Sequence, residues 1–148
     1  MDLNSDRLIR LPLVDSKANY LDGFWQWVEL LANNDYRRAL EAIYWPEEPR
    51  WTPDALRNMI NTFFNGVAPW SVVVPIDRLI GVINDAAEFQ PPLRQRYGGF
   101  GWFMAQVPVT TERADPKNDK ILLMGLASSF FAREHHGHYV LEVEKFHL

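Results

Sequence analysis

The chain of 148 residues contains no cysteine, which excludes disulfide bonds, thiolate metal sites and a cysteine nucleophile. It also lacks a run of about 18 apolar residues, the length that a membrane-spanning helix needs. Residues 1–15 contain no apolar run of signal-peptide length before their charges and prolines. These absences predict a cytoplasmic protein that does not associate with membranes.

Excess positive charge is absent as well. Lysine and arginine number 15 against 19 acidic residues, which gives a formal net charge of −4. A negative chain repels a phosphate backbone, so a nucleic-acid partner is not expected. Apolar residues make up 47% and charged residues 23% of the chain, which is ordinary globular usage. We therefore expect residues 1–148 to form a single domain.

Sequence-local catalytic motifs are missing too. Ser128 and Ser129 do not lie in a Gly-x-Ser-x-Gly elbow, and no Walker motif, dinucleotide fingerprint or zinc-protease helix occurs. The glycines of residues 98–101 precede strand-forming residues, whereas a phosphate-binding loop leads into a helix, so they indicate a hairpin or bulge. The sequence identifies no catalytic residue and no cofactor.

Three helices are predicted in the N-terminal part. The first spans Ser16 to Asn33, where apolar residues recur at helical spacing. A second, shorter helix follows the turn Asn33-Asn34-Asp35, and a third begins at Thr52-Pro53, where a hydroxyl cap precedes a first-turn proline. Gly23, in the middle of the first helix, indicates close approach of another backbone. The apolar face of the first helix comprises Tyr20, Leu21, Phe24, Trp25, Val28 and Leu31.

The last fifty residues predict a three-stranded antiparallel meander. Its strands are Phe100 to Thr110, Ile121 to Glu134 and Tyr139 to Phe146, separated by turn-forming segments. The apolar run at residues 121–126 suggests a central middle strand. In residues 67–99 we predict only a short strand at 72–74, because 76–89 fits a helix or a strand equally. The expected class is α+β, with N-terminal helices packed on a curved, mainly antiparallel sheet.

This order of elements resembles the nuclear transport factor two-like superfamily. The resemblance covers most of the chain and is carried by Tyr20 to Leu31 for the long helix and by the three C-terminal strands for the sheet. It implies a curved sheet wrapped around the long helix. Because that superfamily contains isomerases, dehydratases, small hydrolases and many non-catalytic dimers, the resemblance leaves the function open.

Aromatic residues, 14% of the chain, supply the candidates for a ligand site or an interface. Trp51, Trp70 and Trp102 lie in segments expected to be exposed, and tryptophan is enriched in interfaces. Tyr97 lies in a basic segment between a proline pair and a glycine pair. The same residue types also fill protein cores, so the alternative for each aromatic residue is a position in the core.

Two groups of polar residues have weaker functional interpretations. In the histidine-rich turn, His136 and His138 are expected to share a strand face that His135 does not share, and Glu142 is the nearest carboxylate on that face. We expect no metal. If a metal binds, His136, His138 and Glu142 are the candidate ligands, and this prediction can be tested. Asp77, Asp85 and Glu88 are candidates for acid-base chemistry, with surface caps and turns as the alternative.

The favoured function is a non-catalytic domain that binds a small apolar ligand or a protein. The protein version includes a homodimer formed through the outer face of the sheet and an acidic inhibitor or immunity-type protein that masks a basic surface. The alternative is a small-molecule isomerase, dehydratase or hydrolase with a pocket between the sheet and the helices.

Overall fold

A computed structural model describes residues 7–45, 51–61, 70–90, 101–111 and 127–147, and at 70, 71, 90, 110, 111 and 145–147 it describes only the backbone. In this part of the chain there are four helices and six strands. The helices are α1 Lys17–Ala32, α2 Tyr36–Glu41, α3 Pro53–Asn61 and α4 Asp77–Ala86. The strands are β1 Trp70–Val72, β2 Glu88–Gln90, β3 Gly101–Gln106, β4 Val109–Thr111, β5 Ala127–His135 and β6 His138–His147.

The three predicted helices are confirmed, and their ends follow from local capping. The Ser16 hydroxyl accepts a hydrogen bond from the Asn19 backbone N–H at 3.1 Å and begins α1. The Thr52 hydroxyl does the same for the Ala55 N–H at 3.1 Å, so α3 begins at Pro53 as expected. The undecided segment 76–89 forms α4 followed by the short strand β2.

The strands form two antiparallel sheets. One has four strands in the order β2-β3-β5-β6, and the other pairs β1 with β4. The four-stranded sheet is open and is not curled around α1, so the described strands do not have the curvature expected for the sheet. The α+β class is confirmed.

The C-terminal meander is confirmed as β3-β5-β6, but its first strand is shorter than expected. The segment Phe100 to Thr110 was predicted as one strand. Instead β3 ends at Gln106, and β4 pairs with β1 in the second sheet. Pro108 lies between them, and proline cannot donate a hydrogen bond to a ladder, which explains the break. The predicted apolar run at 121–126 lies outside the described residues.

Aromatic rings join α1 to one face of the four-stranded sheet. The Phe24 and Phe103 ring centroids are 5.6 Å apart, and those of Trp27 and Phe130 are 5.2 Å apart, both edge-to-face. All four side chains are almost fully buried. This face of the sheet is therefore the core side, and the opposite face is called the outer face.

The chain preceding α1 and the chain following α2 both pair with the free edge of β6. Leu11 exchanges two backbone hydrogen bonds of 2.9 Å with Tyr139. Tyr44 forms an isolated parallel bridge to Glu142. These contacts cover part of an edge that would otherwise expose unpaired backbone groups.

Gly23 permits a close contact, although not the contact that was expected. A Cβ at this position would lie 2.8 Å from Leu11 Cδ1 and 3.3 Å from Leu141 Cδ1. The expected approach of another backbone is therefore wrong, because the neighbours are side chains. None of the helices in the described part of the chain is long and apolar enough to cross a membrane.

Candidate functional site

The candidate site is a hollow between the turn that follows α1 and the first turn of α3, here called the α2–α3 hollow. Its volume is about 450 Å³. It is lined by Asn34, Asp35, Tyr36, Arg37, Thr52, Pro53, Asp54 and Arg57. The lining therefore combines one aromatic ring with two arginines and two carboxylates.

Local chain geometry explains why these side chains surround one hollow. Asn34 has a φ of 60° and lies in the left-handed region that asparagine tolerates, so the chain reverses directly after α1. The Asp35 carboxylate then accepts a hydrogen bond from the Arg38 N–H at 3.2 Å and caps α2. Thr52 caps α3 in the same way. The side-chain oxygens of Asp35 and Thr52 therefore already accept hydrogen bonds from the first turns of these helices.

Tyr36 forms the aromatic wall of the hollow. Its hydroxyl donates to Asn34 Oδ1 at 3.1 Å, and the Arg57 guanidinium lies 5.4 Å from the centre of its ring. Burial raises the pKa of Tyr36, and the nearby Arg57 charge partly opposes that rise. Arg57 is also 3.6 Å from Asp54, although both side chains are exposed and the pair is weak. The Tyr36 hydroxyl is therefore a neutral group at physiological pH.

A second hollow of about 160 Å³ adjoins the first and contains the predicted residue Trp51. It is lined by Arg37, Leu40, Glu41, Trp51 and Pro53. Arg37 and Pro53 border both hollows. Among the residues that the structure describes, Arg37 has no hydrogen bond or ion pair. Arg37, which has no partner in the described ranges, thus lies beside a half-buried tryptophan.

Glu41 contributes the negative charge of the second hollow. Its Oε2 lies 2.9 Å from Arg7 Nη1, yet the contact lacks hydrogen-bond geometry, and this oxygen has no hydrogen-bond partner among the described residues. We treat the contact as an ion pair, because charge attraction depends on distance more than on direction. Arg7 is about half exposed, so the pair is largely hydrated.

Trp102 lies elsewhere, on the outer face of the four-stranded sheet. Trp102, Phe131 and Glu142 are directly opposite one another on β3, β5 and β6, and residues in such a row share a face. The Trp102 indole N–H reaches across β5 and donates to Glu144 Oε1 at 2.8 Å. The sheet therefore separates Trp102 from the core and from α1.

The remaining two aromatic candidates are only partly described. Trp70 begins β1 and pairs with Thr111, but its side chain lies outside the described atoms. Tyr97 lies outside the described residues. The four aromatic candidates are thus not brought together as one site in the described part of the chain.

The histidine-rich segment forms a tight hairpin. His136 and Gly137 have φ values of 50° and 85°, which is typical of a two-residue type I′ turn. His135 and His138 are consequently the last directly opposite pair of β5 and β6. The prediction that His135 does not share a face with His138 is wrong, because it treated the segment as one strand rather than two.

The suggested metal trio of His136, His138 and Glu142 is not a ligand set in the structure. The Glu142 carboxylate is 6% exposed and forms an ion pair with Arg133 Nε at 2.5 Å. Arg133 also lies 5.1 Å from the centre of the Tyr44 ring. No group of three histidine, aspartate or glutamate residues within the described ranges has the geometry to hold a metal ion.

The proposed acid-base candidates are dispersed. Asp77 lies in the first turn of α4, Asp85 near its end and Glu88 in β2, and all three side chains are exposed. Ser128 and Ser129 are buried in β5. The three carboxylates are therefore surface groups, and Asp77 does not cap α4, whose N-cap residue is Ile76.

Sequence reasoning missed a polar cluster at the start of α1. The Tyr20 hydroxyl donates to Asp15 Oδ1 at 3.0 Å, and the Tyr139 hydroxyl donates to the same oxygen at 2.5 Å. Burial, followed by the hydrogen bond to Asp15, raises the pKa of Tyr139 to about 12 and that of Tyr20 further. Gly101 lies directly against the Tyr20 hydroxyl. A glycine at this position of β3 was the sequence feature that indicated close packing there.

No protein-family model matches the chain, and no curated protein or solved structure matches it significantly. The resemblance to the nuclear transport factor two-like superfamily therefore stays a prediction.

Proposed function

We propose that this chain is a non-catalytic binding domain, and that its ligand carries a carboxylate beside an apolar group. The main support is Arg37, which lacks a partner among the described residues and borders both hollows. A guanidinium presents paired N–H donors that match a carboxylate. The adjacent Trp51, Leu40 and Pro53 offer an apolar surface for the rest of the ligand.

Binding is favoured over catalysis because the two carboxylates and the threonine hydroxyl that line the hollow already have structural partners. Asp35 and Thr52 cap helices, and Asp54 lies beside Arg57. The alternative, an isomerase, dehydratase or hydrolase, was expected to hold its substrate between the sheet and the helices. At the described contact between α1 and the sheet, aromatic rings packed edge to face fill that position.

Phenylpropionate and its uncharged amide are suitable probes of the proposed site. We expect the carboxylate to shift the NMR signals of the Arg37 and Trp51 side chains, and the amide to bind at least about tenfold more weakly because it lacks the charge-assisted pair. Arg37→Gln should weaken binding of phenylpropionate to a similar degree. Arg78→Gln is the matched control, since it removes an exposed arginine from α4 that does not line either hollow.

Equal binding of the acid and the amide would contradict the proposed ligand class. Unchanged binding by Arg37→Gln together with shifts confined to other residues would contradict the proposed site. Trp51→Ala completes the test, because loss of binding in this variant is expected only if the second hollow takes the apolar group.

A homodimer through the outer face of the sheet is a second candidate, supported by the row that contains Trp102 and Phe131. Both side chains are half-buried and apolar, and they lie opposite the face that contacts α1. Sedimentation velocity over a wide concentration range tests it, with Trp102→Ser expected to shift the distribution towards monomer. A wild-type chain that is monomeric throughout would refute this candidate.

In another version of the proposal, the chain is an inhibitor or immunity-type protein that binds a basic protein. The net charge of −4 would accelerate such an association, and added salt would slow it. The absence of cysteine suits a reducing compartment, so we include a cytoplasmic location in the proposal.

A further inference from the structure

The tip of the β5–β6 hairpin holds two imidazoles side by side. The type I′ turn at His136-Gly137 makes His135 and His138 a directly opposite pair on one face. Opposite residues on antiparallel strands have Cβ atoms about 4.5–5.5 Å apart. The two ring centroids are 6.0 Å apart.

Among the residues that the structure describes, the Nε2 atoms of His135 and His138 have no hydrogen-bond partner, and both atoms are buried. Burial removes the water from each of these atoms without replacing the hydrogen bond. Two such nitrogen atoms on neighbouring rings are therefore available to a ligand that binds both.

We propose that His135 and His138 form a two-imidazole site for a divalent transition-metal ion of the Zn²⁺, Ni²⁺ or Cu²⁺ class, with water completing the coordination. Imidazole nitrogen is a preferred ligand of these ions. With metal–nitrogen bonds of about 2.1 Å, two imidazoles on a tetrahedral ion have centroids roughly 5 Å apart. The observed centroid separation of 6.0 Å is about 1 Å larger than this value, so the rings must move together to close the site.

Arg133 and Arg10 lie near enough to His135 to repel a dication, which limits the affinity. The ion pair between Arg133 and Glu142 at 2.5 Å reduces the repulsion from Arg133. A site with two protein ligands and open positions is expected to exchange its metal, in contrast to a closed structural zinc site.

Titration of protein purified without a histidine tag tests the proposal. We expect Zn²⁺ to saturate at one ion per chain, to shift the imidazole NMR signals of His135 and His138, and to raise the melting temperature by mass action. By the Irving–Williams order, Cu²⁺ should bind more tightly than Zn²⁺.

Single variants His135→Ala and His138→Ala should each lose about tenfold or more in Zn²⁺ affinity, the range that loss of even a supporting group produces in metal sites. The matched control is His136→Asn, which removes a histidine from the same turn and keeps a residue that tolerates positive φ. The His136 ring centroid lies 4.0 Å from that of His135, so we expect this variant to lose some Zn²⁺ affinity but clearly less than either alanine variant.

Absence of saturable binding would overturn the proposal, as would equal affinity in wild type and His135→Ala. Equal loss in His136→Asn would overturn the assignment to two imidazoles. Amide NMR spectra of each variant show whether the hairpin is still formed. If His135→Ala or His138→Ala loses the hairpin, the imidazole shifts of the wild type alone decide the outcome.

Discussion

Replacing Gly101 with alanine tests how α1 is held against β3. A Cβ at Gly101 would lie 2.1 Å from the Tyr20 hydroxyl oxygen and 2.9 Å from its Cζ. Tyr20 cannot move aside easily, because its ring is fully buried and packs edge-to-face on Phe89 at 5.1 Å. Its hydroxyl is also held by Asp15. The extra methyl group must therefore displace the ring or the strand.

The magnitude follows from two losses and one gain. Overpacking a filled core costs about 1–3 kcal/mol, and breaking the bond from Tyr20 to the Asp15 carboxylate costs about 1.5–3 kcal/mol. Alanine recovers about 0.5–1 kcal/mol of the strand's backbone entropy. We expect Gly101→Ala to lower the free energy of unfolding by about 2–5 kcal/mol, which corresponds to a fall in melting temperature of roughly 10 °C for a chain of this length.

Urea unfolding followed by tryptophan fluorescence measures this change. Tyr20→Phe removes the closest atom, so Gly101→Ala should cost at least about 1 kcal/mol less in the Tyr20→Phe background than in the wild type. The control is Gly81→Ala in α4, where a Cβ would meet no atom within 4 Å. It should stabilise the chain by up to about 1 kcal/mol through helix propensity. A loss below about 0.5 kcal/mol for Gly101→Ala, the ordinary range of a surface substitution, would refute the reasoning.

Three further predictions concern the polar cluster, the hairpin and the buried ion pair. The raised pKa of Tyr139, about 12 against an ordinary 10, means that its contribution to stability is complete below pH 10 and is lost as the pH rises to about 12. The urea midpoint should fall over that range, and less so in Tyr139→Phe. His136→Asn should raise the free energy of unfolding by a few tenths of a kcal/mol, measured by urea unfolding, because Asn-Gly is the preferred type I′ pair. An unchanged or lower value would argue against that turn. Arg133→Met should lower the melting temperature more than Glu142→Gln does, since it leaves a buried carboxylate unpaired, at a cost of about 3 kcal/mol. The reverse order in a calorimetric scan would contradict this reading of the pair.

Helix positions were predictable because their signals are local. Ser16 caps α1 through Asn19, and Thr52 caps α3 through Ala55, each within three residues along the chain. The meander was predictable for the same reason, since alternation and turn residues identify adjacent strands. Pro108 also indicated that the strand ends there, but the apolar residues on both sides of it favoured one continuous strand.

The candidate sites were only partly predictable. Trp51 was selected by residue type, and it does line a hollow, whereas its neighbour Arg37 gave no signal. The sequence analysis did not predict that His135 and His138 are neighbours. It treated residues 135–138 as one strand, in which these two residues point to opposite faces, whereas a two-residue turn places them directly opposite each other on two strands. A type I′ turn depends on a positive φ at two positions, which Gly137 indicated only at one.

The sequence by itself determined the α+β class, the helix starts, the order of the meander strands and the absence of cysteine chemistry. Each of these depends on composition or on residues within about four positions of one another. Only the tertiary structure decided that Tyr20 lies against Gly101, that β4 pairs with β1, and that Glu142 is paired with Arg133. These contacts join residues that are distant in the chain or lie on different strands. They depend on how the whole core closes, because a side chain meets its partner only after the elements that carry both have packed.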